Sequence, residues 1–280
     1  MSLRDRLKSE SPRSTQRDLY KQYGVLINPF PPSSQTAGHP HSRSPADDEI
    51  ERRVENFIKE HRSQVVMIEG TQGVGKTNLL NFWETEIKDA LGDDEGYYVI
   101  RYLADPEASF DSTLRRLFQE LGVEFIENLG TKLSKNRDAV DSARNPEMRT
   151  AMRMLAEKPG DANRATLFRD WLLGLRILKA HREELDVQFR LDTVESKTAA
   201  LRDVVIVSSK IGILEGIFLL LDELEKQGGV LGATGVVRYL SALRAIIDAL
   251  PEHLFMMLAV TPDAMRRYSV ALPEIGRAHV

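Results

Sequence analysis

Cysteine is absent from all 280 residues. That excludes disulfides, thiolate nucleophiles and sulfur-ligated zinc or iron clusters, and it suits a reducing compartment. No window approaches the roughly 18 consecutive apolar residues of a membrane-spanning helix, and the opening MSLRDRLKSESPRS lacks the apolar centre of a signal peptide. The expected location is therefore the cytoplasm, with no membrane partner. An excess of one charge is missing too: a net charge of -4 gives no global attraction to nucleic acid, so any DNA contact would need a local patch. The six histidines show no HExxH or similar ligand spacing, and no glycine-flanked nucleophile elbow is present. What is there, 42% hydrophobic and 29% charged, is the composition of a soluble globular chain long enough for one large domain or two modest ones.

Residues 1–46 differ in kind from the rest. NPFPPSSQTAGHPHSRSP concentrates proline, serine, glycine and histidine with little to bury, which reads as an arm or linker. Ahead of it, Arg4, Arg6, Lys8, Arg13, Arg17 and Lys21 outnumber Asp5, Glu10 and Asp18, either a solvated tail or a surface that steers an acidic partner. From Asp47 the pattern turns helical, with Ile50, Val54, Phe57 and Ile58 on one stripe. QVVMIEG then reads as a short buried strand ending in glycine.

The chemistry begins directly after that strand, in IEGTQGVGKTNLL. Gly70, Gly75, Lys76 and Thr77 fit GxxxxGKT, the phosphate-binding P-loop or Walker A pattern, in its required setting between a strand and a helix. Glycines let backbone N–H groups converge on phosphate oxygens, and the helix from Lys76 to about Ala90 points its positive end at the same anion. Residues Gly70, Thr71, Gln72, Gly73, Val74, Gly75, Lys76, Thr77 and Asn78 form the expected nucleotide cradle. Lys76 would reach the β- and γ-phosphates, and the Thr77 hydroxyl would ligate the Mg2+ that bridges them.

A phosphate cradle needs an acid to position the metal. GIFLLLDELE supplies an apolar run, Ile217 to Leu221, suited to a central parallel strand, and puts Asp222 at its carboxyl end. Asp222 is the expected magnesium-holding acid, the Walker B position, and Glu223 the expected base that orients and deprotonates the attacking water. LFMMLAVTP, residues 254 to 262, is another strand ending in Thr261, whose hydroxyl either senses the γ-phosphate and lytic water or simply closes a strand-ending turn. YYVIRYL, residues 97 to 103, completes four strands alternating with helical segments, which argues for a parallel α/β sheet.

With IEGTQGVGKTNLL, FLLLDELE, MLAVTPD and the terminal ALPEIGRAHV in hand, residues 20 to 280 resemble the AAA+ ATPases, in the branch of ORC-type origin-recognition proteins and STAND-type switches. The overall texture is similar to bacterial ATP-binding proteins of BREX-type phage-defence systems. The resemblance implies a three-layer αβα P-loop NTPase that binds ATP and Mg2+ and acts by hydrolysis on or with DNA. It implies a homo-oligomer, or an assembly with other system components, whose nucleotide sits between subunits. The alternative it carries is a nucleotide-gated switch or scaffold with slow turnover. It also implies an arginine finger, for which Arg277 is the first candidate and Arg266 and Arg267 the others, and an adenine-proximal segment at Asn28, Pro29 and Phe30.

Two departures from that pattern stand out. More than a hundred residues separate the strands at 97 to 103 and 217 to 221, so a helical insertion is expected at about 128–200 within an ATP-binding domain spanning 47–280. Within it, Leu167, Trp171, Leu172, Leu175 and Leu178 recur at helical spacing as a packing stripe. Lys132, Lys135, Arg137, Arg144, Arg149 and Arg153, interleaved with Asp138, Asp141 and Glu147, form either a phosphate-contacting surface or a mixed solvated face. DVVIVSS, 203 to 209, is ambiguous by composition, and its register favours a buried helix. Secondly, the sequence stops at Val280 without the complete C-terminal lid that such chains usually carry.

Overall fold

Short runs of β-branched and large apolar residues make four strands: β1 (Gln64–Glu69), β2 (Tyr97–Leu103), β3 (Gly216–Asp222) and β4 (Leu254–Val260). The computed structural model describes residues 41–91, 96–103, 110–222 and 233–271. The chain divides into two units, residues 1–42 and 43–280, and the elements described here belong to the second. The strands pair in parallel in the order β1-β4-β3-β2. Every residue of β3 and β4 is buried, as the unbroken apolar runs predict for inner strands covered on both faces.

Alternate residues along each strand feed two separate apolar layers. Val66, Phe218, Leu220, Phe255, Met257 and Ala259 face Ile50 and Phe57 of α1 (Pro45–Glu60) and Leu80, Trp83 and Ile87 of α2 (Lys76–Leu91). Met67, Ile100, Ile217, Leu219, Leu221, Met256 and Leu258 enter a larger core shared with the helices between β2 and β3 and with α8, introduced below. The architecture is thus α/β with helices on both faces of a parallel sheet. Gly216 is needed for one close approach: a Cβ there would meet Phe57 Cζ at 2.7 Å, and the bare backbone lets Phe57 lie edge-on to Phe218, ring centres 5.1 Å apart.

The first helix begins at Pro45, two residues ahead of the expected Asp47. Ser44 caps it, and proline at the first helical turn forfeits no bond because that N–H would be unpaired anyway. Asp47 is wholly buried. Its Oδ2 accepts from the Ser44 amide at 2.8 Å and its Oδ1 from Trp83 Nε1 at 3.0 Å, which ties α1 to α2.

Between β2 and β3 the regular elements among the described residues are all helical: α3 (Phe110–Lys135), interrupted at Gly122 where φ is 75°, then a 3-10 turn (Arg137–Ser142), α4 (Pro146–Glu157), α5 (Ala162–Leu172), α6 (Lys179–Leu185) and α7 (Val194–Lys210). The segment expected as an insertion, 128–200, lies within this run. Residues 203 to 209 are helical, in α7, where β-branched composition alone would have permitted a strand. The expected stripe is broken: α5 ends at Leu172, Gly174 turns the chain at φ 72°, and Leu175 and Leu178 are 41% and 67% exposed. Trp171 and Leu172 are buried as expected; the left-handed glycine explains why the two later leucines leave that face.

Buried charges staple the helices together. Lys197 is fully buried and pairs with Asp111, joining the starts of α7 and α3. Asp203, 1% exposed, accepts from the backbone N–H of Arg144 at 3.0 Å and of Asn145 at 2.8 Å, just where Asn145 caps α4. Asp203→Ala would strand two amide donors, each costing about 1–3 kcal/mol. The expected outcome is a loss of about 2–5 kcal/mol in urea unfolding with no change in slope; a loss within about 0.5 kcal/mol would show that water replaces the carboxylate.

The chain closes its described part with α8 (Ala233–Ala249), β4 and α9 (Pro262–Ala271). Among the described residues no helix is long and apolar enough to cross a membrane.

Candidate functional site

The parallel register brings the carboxyl ends of all four strands to one edge. Glu69 aligns with Val260, and Leu103 with Asp222. Because β4 lies between β1 and β3, the loop after β1 and the acid at the end of β3 flank Thr261, which follows β4. Crevices at this edge of parallel sheets are where ligands bind.

The loop from Gly70 to Gly75 is exposed except for Gly70, which is half-buried. Gly70 N–H donates to Val260 O at 3.1 Å, so the loop departs from the sheet at a fixed point. Three glycines make its shape possible. Gly73 and Gly75 have φ of 83° and 100°, and a Cβ on Gly70 would meet Val74 Cγ1 at 2.5 Å. Among the described residues no backbone hydrogen bond uses the amides of Gly73 or Gly75, and α2 opens immediately afterwards with its first-turn amides directed at the same space. Lys76 Nζ donates to Gly70 O at 2.8 Å and Thr71 O at 3.2 Å, folding the cation over its own loop. Thr77 and Asn78 are half-buried in the first turn of α2.

Asp222 is 1% exposed. A buried carboxylate of this kind needs a positive partner, and Arg101 of β2 supplies it, Nη2 to Oδ2 at 3.1 Å. No motif in the sequence marks Arg101. Its signal was a lone charge inside YYVIRYL, two residues before the strand's end and on the same face as the acid, since Arg101 aligns with Leu220 and Leu103 with Asp222.

Thr261 is half-buried and its hydroxyl oxygen accepts from Ala264 N–H at 3.3 Å, capping α9. The turn-forming role is therefore present. Arg266 is exposed and pairs with Asp263 one turn back on α9 at 2.7 Å. Glu223, Arg277, the Arg267 side chain and the segment Asn28, Pro29 and Phe30 lie outside the described residues. On the helical face at 131–153, Arg153 pairs with exposed Asp141 at 2.8 Å, which gives that surface charges of both signs.

Among the described residues no three His, Asp or Glu side chains gather to hold a metal by themselves. The Thr77 hydroxyl and the Asp222 carboxylate are oxygen donors of the kind magnesium takes. Compared with models of known protein families, with curated proteins and with solved structures, the chain matches none.

Proposed function

We propose that the chain is an AAA+-like ATPase that binds Mg2+-ATP in the cradle Gly70–Asn78, formed by the loop and the first turn of α2, and hydrolyses it. The observation that carries the reading is the coincidence of a three-glycine loop, two of its glycines at positive φ, with a buried aspartate at the same sheet edge, one strand removed. A glycine-rich turn with an incidental lysine has no need of that acid.

In this reading, the loop amides and Lys76 hold the β- and γ-phosphates, and Thr77 and Asp222 would hold magnesium, whose positive charge would offset that of the phosphoryl oxygens. Glu223, next in sequence to Asp222, takes the proton of the attacking water. Thr261, flanked by loop and acid, orients that water through its O–H. Arg277 serves a neighbouring subunit's nucleotide, and ATP occupancy drives assembly or remodelling on DNA in bacterial defence against phage. These last elements follow from the resemblance of the motifs. A nucleotide-gated switch with slow turnover is the second reading, favoured by the Arg101 guanidinium resting on Asp222.

Calorimetry with Mg2+-ATP, turnover with and without DNA, and mass by light scattering with and without ATP test the proposal together. DNA-stimulated turnover supports the first reading; ATP-dependent assembly with turnover indifferent to DNA supports the second; absence of binding heat overturns both. Gly75→Ala places a side chain at φ 100°, a strain of about 1–2 kcal/mol. Its expected outcome is an ATP affinity lower by about tenfold with the fold retained by circular dichroism. Unchanged affinity would mean that the loop's geometry is irrelevant to the ligand.

A further inference from the structure

Arg101 is an unusual partner for Asp222, because it is shared. Its Nη2 bonds Asp222 at 3.1 Å, while its Nη1 lies 3.8 Å from Oε2 of Glu84, a residue two turns into α2. Glu84 Oε1 accepts from Lys88 at 2.7 Å. The Arg101 side chain is only 16% exposed, and among the described residues its buried Nε has no acceptor. An arginine serving purely as a staple ordinarily makes a two-pronged bond to one carboxylate. Here the guanidinium divides single contacts between two acids and leaves a donor unsatisfied, which is the arrangement of a cation with two available seats.

We propose that Arg101 is a positioning residue that occupies Asp222 in place of magnesium and moves to Glu84 when Mg2+-nucleotide arrives. The inference rests on the ATP-binding reading. Asp222, buried at 1% exposure, needs a positive neighbour in either state. A divalent cation and a guanidinium on the same carboxylate repel each other, so the two exchange. Glu84, bonded on its other oxygen to Lys88, receives the displaced charge. Nucleotide without metal finds the acid already neutralised, which makes tight binding depend on magnesium.

The test is the Mg2+ concentration that half-saturates binding of a non-hydrolysable ATP analogue, read by calorimetry on the full chain. Arg101→Gln removes the competitor and is expected to lower that concentration about tenfold, the scale set by one hydrogen bond to a charged group. Glu84→Gln removes the second seat and is expected to raise it by several-fold. Fixed charges also give opposite signs, so the double variant decides: exchange makes Glu84 act through Arg101, and Glu84→Gln then changes nothing once residue 101 is Gln, whereas additive shifts overturn the proposal. Shifts of one sign, or none in either variant, overturn the proposal while leaving ATP binding by the parent intact. Should Arg101→Gln fail to fold, Glu84→Gln decides alone, and a half-point at or below the parental one overturns it. Absence of binding by the parent at any Mg2+ concentration overturns the ATP reading, and this inference with it.

Discussion

Lys76→Ala is expected to lose Mg2+-ATP affinity by about 100-fold, because each charge-assisted bond from the ammonium to a phosphate oxygen is worth about 1.5–3 kcal/mol. The same change is expected to leave the fold nearly untouched. Lys76 sits at the rim, bonded to the carbonyls of Gly70 and Thr71, and these can turn to water. The check is titration calorimetry paired with a melting curve. Parental affinity in a folded Lys76→Ala protein would mean that the loop is a turn and no cradle. A collapse in melting temperature would mean that the lysine closes the loop and that lost binding reports structure.

The second large effect is kinetic. Glu223→Gln is expected to bind ATP as the parent does and to slow turnover by about 10²–10⁴-fold, the usual contribution of a positioned base. Quenched single-turnover measurement separates that loss from slow product release. The substitution leaves Asp222, the proposed magnesium ligand, in place, so retained Mg2+-ATP binding is part of the expectation. Turnover at the parental rate would remove Glu223 from the mechanism.

Local features were readable from the residues. Glycine spacing, a β-branched run before it and a helix after it define Gly70 to Gly75 as a loop without any knowledge of its neighbours, and the structure gives Gly73 and Gly75 the backbone angles that glycine alone adopts freely. Continuous apolar runs likewise announced β3 and β4 as inner strands. Pairings across long separations were not readable. Arg101 and Asp222 stand 121 positions apart, and only the register of β2 on β3 makes them neighbours. The leucine periodicity beyond Leu172 misled because an isolated glycine is compatible both with a continuing helix and with its C-terminal cap; tertiary contacts decided it, Trp171 Nε1 reaching Phe189 O at 2.9 Å in a chain already turned.

The placement of β4 has a consequence for assembly in time. Residues 254 to 260 join β1 to β3, so the first and third strands have no common edge until the fourth has been synthesised and threaded between them. A nascent chain released before Leu254 emerges could carry a formed loop and a formed acid strand and still hold them apart. On the proposed ATP reading, nucleotide engagement should therefore appear abruptly once residue 260 has cleared the ribosome exit tunnel, and arrested complexes carrying C-terminal extensions of graded length would reveal a step at that point, since contacts of such long range are among the last that folding can make.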